Sequence, residues 1–113
     1  MDIRQLTAEM SVAGQIAPSD LAEVKSLGFN SVICNRPDGE APDQPTYAEI
    51  EAAAQAAGLA ITYIPIVPGL AGMAEVKAFR QAMDTNPGPV LAYCRSGARS
   101  TSMYEAARQL PAS

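Results

Sequence analysis

Apolar positions along the chain fall into short runs separated by stretches of helical period. Residues 10–14 predict a first strand. Pro18, Ser19 and Asp20 then open a helix with Leu21, Val24 and Leu27 on one face, and Gly28 stops it. FNSVIC, residues 29–34, predicts a second strand, followed by the turn-rich loop NRPDGEAPDQP. Thr46 caps a second helix that turns Tyr47, Ile50, Ala54 and Ala57 inward and closes at Gly58. Residues 60–66 predict a third strand, and Met73, Val76, Phe79 and Met83 mark a third helix. After the turn NPGP, Val90–Tyr93 reads as a fourth strand, leading to a last helix that carries Met103, Ala106 and Leu110. Met73, Met83 and Met103 read as fillers of core gaps.

Strands alternating with helices at this spacing imply a parallel sheet covered on both faces. The expected architecture is α/β: three layers, α/β/α, with about four parallel strands, in one domain spanning residues 1–113. Ligands of such sheets bind beyond the carboxyl ends of the strands. Cys94 falls at one of those ends.

Composition narrows the chemistry. The chain has 113 residues, 48 % of them hydrophobic, and a net charge of −4, so a globular fold is expected and a nucleic-acid partner is not. No apolar run approaches the roughly 20 residues of a membrane helix, so no membrane partner is expected. The opening MDIRQLTAEM has no basic end and no apolar middle, so a cytoplasmic protein is expected. There is no histidine, which removes Ser-His and Cys-His catalysis and histidine-ligated metals. The only cysteines, Cys34 and Cys94, are far apart and form no C-x-x-C pair, so neither a metal site nor any other cofactor is expected.

YCRSGARS, residues 93–100, places a thiol and two arginines between a strand and a helix. Successive backbone N–H groups of such a turn point inward, and the helix dipole adds about half a positive charge. A thiol held there ionises readily; helix-end cysteines fall from about 8.5 to between roughly 3.5 and 7.5. Arg99 is positioned to hold an oxyanion with a two-point fork, and Arg95 adds positive potential at the mouth. Ser96, Gly97, Ala98 and Ser100 complete the anion-binding turn, and Tyr93 flanks the pocket by position. The expected substrate is a small oxyanion or a persulfide.

CRSGARS resembles the active-site loop of rhodanese sulfurtransferases, with their pattern C-R-x-G-x-R or C-R-x-G-x-T. It also resembles the cysteine-containing phosphate loop of protein tyrosine phosphatases. Nearly the whole chain, including SVICNRPDGE and PVLAYCRSGARS, is similar to the phosphatase-like domain of beta-lactamase-hydrolase-like proteins. That resemblance implies a tyrosine-phosphatase-like fold and an activity in phosphate hydrolysis or sulfur transfer. It also implies a persulfide-oxidising enzyme as a partner.

Two departures from the phosphatase pattern favour sulfur. Tyrosine phosphatases place five residues between cysteine and arginine, whereas Cys94 and Arg99 are separated by Arg95, Ser96, Gly97 and Ala98; and Tyr93 stands where those enzymes usually have histidine. The phosphatases also carry an aspartate after the strand corresponding to ITYIPI, yet no carboxylate occurs from Ile61 to Ala74. Such acids contribute about 10²–10⁴-fold in rate, and expulsion of sulfite or a thiolate needs none. The expectation is therefore a rhodanese-type sulfurtransferase carrying a persulfide on Cys94. The alternatives are a phosphatase with a phosphocysteine at Cys94 and a module that binds an oxyanion or phosphoresidue without turnover. For the phosphatase, Asp38 is the displaced general acid, with Glu40 or Asp43 as poorer choices, although Pro-Asp-Gly is also a plain turn signature. Arg36 in the same loop either lines the site or, more simply, is a solvated arginine. The implied topology also sets the strand ending at Cys34 beside the cysteine-loop strand. Strands about 4.8 Å apart would make Cys34 a resolving thiol for Cys94, or else a small buried hydrophobe.

Overall fold

The computed structural model describes residues 1–111. Five strands form one sheet: β1 (Ile3–Gln5), β2 (Met10–Ala13), β3 (Ser31–Cys34), β4 (Ala60–Tyr63) and β5 (Val90–Tyr93). The helices are α1 (Leu21–Ser26), entered through a 3-10 turn at Pro18–Asp20, α2 (Tyr47–Ala56), α3 (Met73–Thr85) and α4 (Ala98–Ala107). Strand order is β1-β2-β5-β3-β4. The last four named run parallel, and β1 is an antiparallel edge strand that sets Arg4 opposite Val12. Among the described residues, no helix is long and apolar enough to cross a membrane.

The alternation of side chains along a strand divides the core in two. Val90 and Ala92 of β5, Ile33 of β3 and Val12 of β2 join Val76 and Phe79 of α3 and Met103 and Tyr104 of α4. Leu91 and Tyr93 of β5, with Val32 and Cys34 of β3, join Leu21 and Val24 of α1 and Ile50 and Ala54 of α2. Both faces of the four-stranded parallel part are thus covered, as the run-and-helix pattern predicts.

Helix starts follow local chemistry. Thr46 Oγ1 accepts the Glu49 N–H at 3.2 Å while the Glu49 carboxylate accepts the Thr46 N–H at 3.1 Å, a reciprocal cap that fixes the start of α2. Several expectations need correction. The strand expected at 10–14 stops at Ala13, that at 29–34 starts at Ser31 and that at 60–66 stops at Tyr63. Leu27 lies beyond the last turn of α1 and is 57 % exposed; Met73, the first residue of α3, is 56 % exposed. Neither fills a core gap, because each sits exposed at a helix end.

Candidate active site

Central position in the sheet pins Cys94 from both sides. Residues Ala13 and Cys34 both stand in register with Tyr93, the last residue of β5. The Cys94 N–H donates to Ala13 O at 3.3 Å, the Asn35 N–H to Tyr93 O at 2.8 Å, and the Gln15 N–H to Arg95 O at 3.2 Å. The loop then turns into α4 at Gly97, whose φ of +93° is left-handed. A Cβ there would stand 3.4 Å from Ala13 O and 3.3 Å from a guanidinium nitrogen of Arg4. Glycine is needed at Gly97 for both conformation and space.

The turn converges on sulfur. Gly97 N–H donates to Cys94 Sγ at 3.1 Å. Burial pushes the Cys94 thiol up, but the N–H groups of Ser100, Ser96 and Gly97 and the Ser100 hydroxyl together hold it below its ordinary value. The Ser100 hydroxyl also donates to Asn35 Oδ1 at 2.9 Å, and Asn35 Nδ2 donates to Ile64 O at 2.9 Å. Having one proton, that hydroxyl serves the sulfur or the amide oxygen, one at a time. Asn35 and Ser100 are both fully buried.

Arg99 reaches the site by a different route. Its Nη1 and Nη2 donate to the two carboxylate oxygens of Glu40 at 2.7 and 2.8 Å, and Nη1 also donates to Ile66 O at 2.8 Å. A guanidinium has five N–H groups in a planar fork. Three are engaged, so Nε–H and the second Nη2–H, which lie side by side, remain for an oxyanion. Glu40 is itself shared: Arg36 Nε donates to it at 3.0 Å, and Arg36 Nη1 donates to Gln15 Oε1 at 3.1 Å. Hydrogen bonding from Arg99, against partial burial and with help from Arg36, holds the Glu40 carboxyl below the usual carboxylate range.

These positions bear on four expectations. Arg36 is buried, 6 % exposed, because it braces the ion-pair network. Glu40 is held ionised between two guanidiniums and cannot supply a proton as a general acid. Asp38 Oδ1 accepts the Tyr47 N–H at 2.7 Å and its own N–H donates to the Tyr63 hydroxyl at 3.0 Å, so the structure gives it a turn role at the start of α2. Tyr93 does not flank the pocket; it is 1 % exposed within the α1/α2 core.

Cys34 ends the strand beside the one that leads into the Cys94 loop. Its register partner is Tyr93, one position earlier, and both pack on the α1/α2 side. The Cys94 sulfur lies under the α4 turn, where the Gly97 N–H reaches it. Cys34 Sγ instead contacts Arg36 O at 3.4 Å, and burial pushes its thiol up. It packs as a small buried residue in the α1/α2 core.

Arg95 and Ser96 are exposed at the loop's rim, and Ala98 N–H donates weakly to Ser96 Oγ at 3.4 Å. Sequence reasoning missed Asn35 and Arg4. Asn35 carries a readable signal, since a polar residue directly after a buried strand end must find partners. Arg4 carries none, because it lies in a three-residue edge strand far away in sequence.

The family model described as beta-lactamase hydrolase-like protein, phosphatase-like domain, matches residues 2–110. The Beta-lactamase hydrolase-like protein of Agrobacterium fabrum is 36 % identical over 100 residues, covering 88 % of this chain and 23 % of that protein. Its counterpart in Xylella fastidiosa Temecula1 is 35 % identical over 104 residues, covering 92 % and 24 %. The chain therefore spans about a quarter of the length of these relatives. A crystal structure from Neisseria meningitidis, described as a candidate phosphatase, superposes with a TM-score of 0.84 at 32 % identity, covering 95 % of this chain and 78 % of that one. P. aeruginosa TpbA, solved with phosphotyrosine, superposes with a TM-score of 0.65 at 18 % identity, covering 89 % and 58 %, which shows a shared fold.

Proposed function

The chain belongs to the phosphatase-like domain family of beta-lactamase hydrolase-like proteins, and from that premise we propose that it is a cysteine-dependent phosphatase acting through Cys94. The observation that carries the reading is the convergence of loop N–H groups on the Cys94 sulfur beside the open edge of Arg99. In this mechanism the thiolate attacks phosphorus. The S–P bond forms as the P–O bond to the leaving group breaks. Loop N–H groups and the start of α4 hold the non-bridging oxygens, and Arg99 takes two of them with Nε–H and Nη2–H. Water then attacks phosphocysteine, releasing phosphate and restoring the thiolate, which the Ser100 hydroxyl receives.

This reading replaces the expectation of sulfur transfer. That expectation rested on the four-residue spacing and the missing acid; the family and the most similar structure named above are phosphatase-like instead. The test is turnover of nitrophenyl phosphate by the protein and by Cys94→Ser. Hydrolysis lost in the variant supports the reading; hydrolysis retained, or sulfur transfer from thiosulfate to cyanide with no hydrolysis, overturns it.

A further inference from the structure

A leaving oxygen must either receive a proton or be stable as an anion. Three carboxylates on the loops at this end of the sheet are already engaged, while Asp43 is exposed. Glu40 holds two guanidiniums, Asp38 accepts from the start of α2, and Glu75 Oε1 accepts the Gly72 N–H at 2.7 Å at the start of α3. The segment between β4 and α3 borders the site directly, since Ile66 O accepts from Arg99. With Ala98, Ser102 and Met103, its residues Ile66, Pro68, Gly69 and Ala71 bound a cleft of about 260 Å³. That segment presents Val67 and Leu70, 47 % and 75 % exposed, and no carboxylate. Positive charge is in surplus. Arg4 lies against Gly97, beside the N-terminus of α4, where a cation is disfavoured by the helix dipole. Neither Arg4 nor Arg95 has an ion-pair partner among the described residues.

We propose that the substrate is a phosphoric anhydride, either an acyl phosphate or a diphosphate, whose leaving oxygen departs as a carboxylate or a phosphate without being protonated. The inference rests on Cys94 being the phosphoryl acceptor. Its thiolate forms the S–P bond; the bridging P–O bond breaks, and the electron pair leaves on the bridging oxygen. Water supplies the oxygen that later displaces sulfur, and its released proton goes to solvent. Arg4, against Gly97, and Arg95, at the rim of the loop, add positive potential that offsets the charge of the departing anion.

The test compares kcat/KM for dinitrophenyl, nitrophenyl and phenyl phosphate, then for acetyl phosphate and pyrophosphate. Without an acid, phenyl phosphate should fall below dinitrophenyl phosphate by at least the 10²–10⁴-fold, roughly, that such an acid supplies, and one anhydride should exceed phenyl phosphate by a similar factor. Arg4→Ala separates the two sources. A loss about tenfold larger for pyrophosphate than for acetyl phosphate, the worth of one charge-assisted contact, assigns the diphosphate; equal losses assign the acyl phosphate. A flat response across the aryl series, or phenyl phosphate turned over faster than both anhydrides, overturns the inference and leaves the phosphatase reading standing. No turnover of dinitrophenyl phosphate removes that reading, and this inference with it.

Discussion

Replacing Glu40 by glutamine would keep the shape of the side chain and remove the charge shared by Arg99 and Arg36. Three short contacts are at stake, at 2.7, 2.8 and 3.0 Å. The side chains of Arg99 and Glu40 are 17 % and 22 % exposed, so the pair is neither buried nor free in water. Exposed pairs contribute about 0.2–1 kcal/mol, and breaking a buried one costs about 3–5 kcal/mol. Glutamine also turns an amide N–H₂ toward a guanidinium that cannot accept it. A loss of about 2 kcal/mol follows, in line with hydrogen bonds to charged groups, out of a total near 5–15 kcal/mol, roughly, for a domain of this size. The assay is urea unfolding, where the midpoint should fall at unchanged slope. Because the Glu40 carboxyl is held below its ordinary 4.5, its contribution is fully present above that value and is lost as pH falls through the folded one. The stability gap between the two proteins should therefore narrow on the acid side. In turnover, Arg99 stays but loses the brace that aims its free edge. A misplacement of about 1 Å costs on the order of 10²-fold, so kcat should drop by ten- to a hundredfold, roughly, more than KM rises. Stability within about 0.5 kcal/mol of the wild type, the range of surface substitutions, with unchanged kcat, would refute the positioning role.

Three further outcomes follow from the same geometry. Iodoacetamide should alkylate Cys94 with its pH midpoint below that of free cysteine, since the thiol is held below its ordinary value; a midpoint at or above that of free cysteine would show an ordinary thiol. Asn35→Ala should cost about 1–3 kcal/mol in urea unfolding, because Ser100 Oγ and Ile64 O lose a buried partner, and should slow phosphocysteine hydrolysis; wild-type stability and burst kinetics would contradict this. Mild peroxide should give no Cys34–Cys94 disulfide on non-reducing mass spectrometry, and Cys34→Ala should inactivate at the wild-type rate, since the Cys34 thiol is buried in the α1/α2 core and contacts Arg36 O; a crosslink would overturn that packing role.

What the sequence reveals depends on how local its cause is. The parallel strands are legible because each is a short apolar run bounded by glycine, and the Cys94 turn is legible because strand, Gly97 and helix start are contiguous. β1 is not: Ile3, Arg4 and Gln5 have no apolar alternation, and their strand exists only because β2 offers an edge. Glu40, Arg36 and Asp38 show the same limit within one loop. Composition alone marks all three as turn residues, and only the tertiary approach of Arg99, 59 positions away, makes Glu40 part of the site. Cys34 illustrates a subtler limit. Strand adjacency follows from the topology, but the one-residue offset that sets Tyr93 rather than Cys94 beside it is a matter of register.

On this mechanism Cys94 carries the phosphoryl group during turnover. The most direct measurement is peptide mass spectrometry after acid quench during turnover of dinitrophenyl phosphate. A phosphoryl adduct is expected on the peptide bearing Cys94, absent in Cys94→Ser and longer-lived in Asn35→Ala. Steady turnover with that peptide unmodified, or with Cys94→Ser still active, would contradict it.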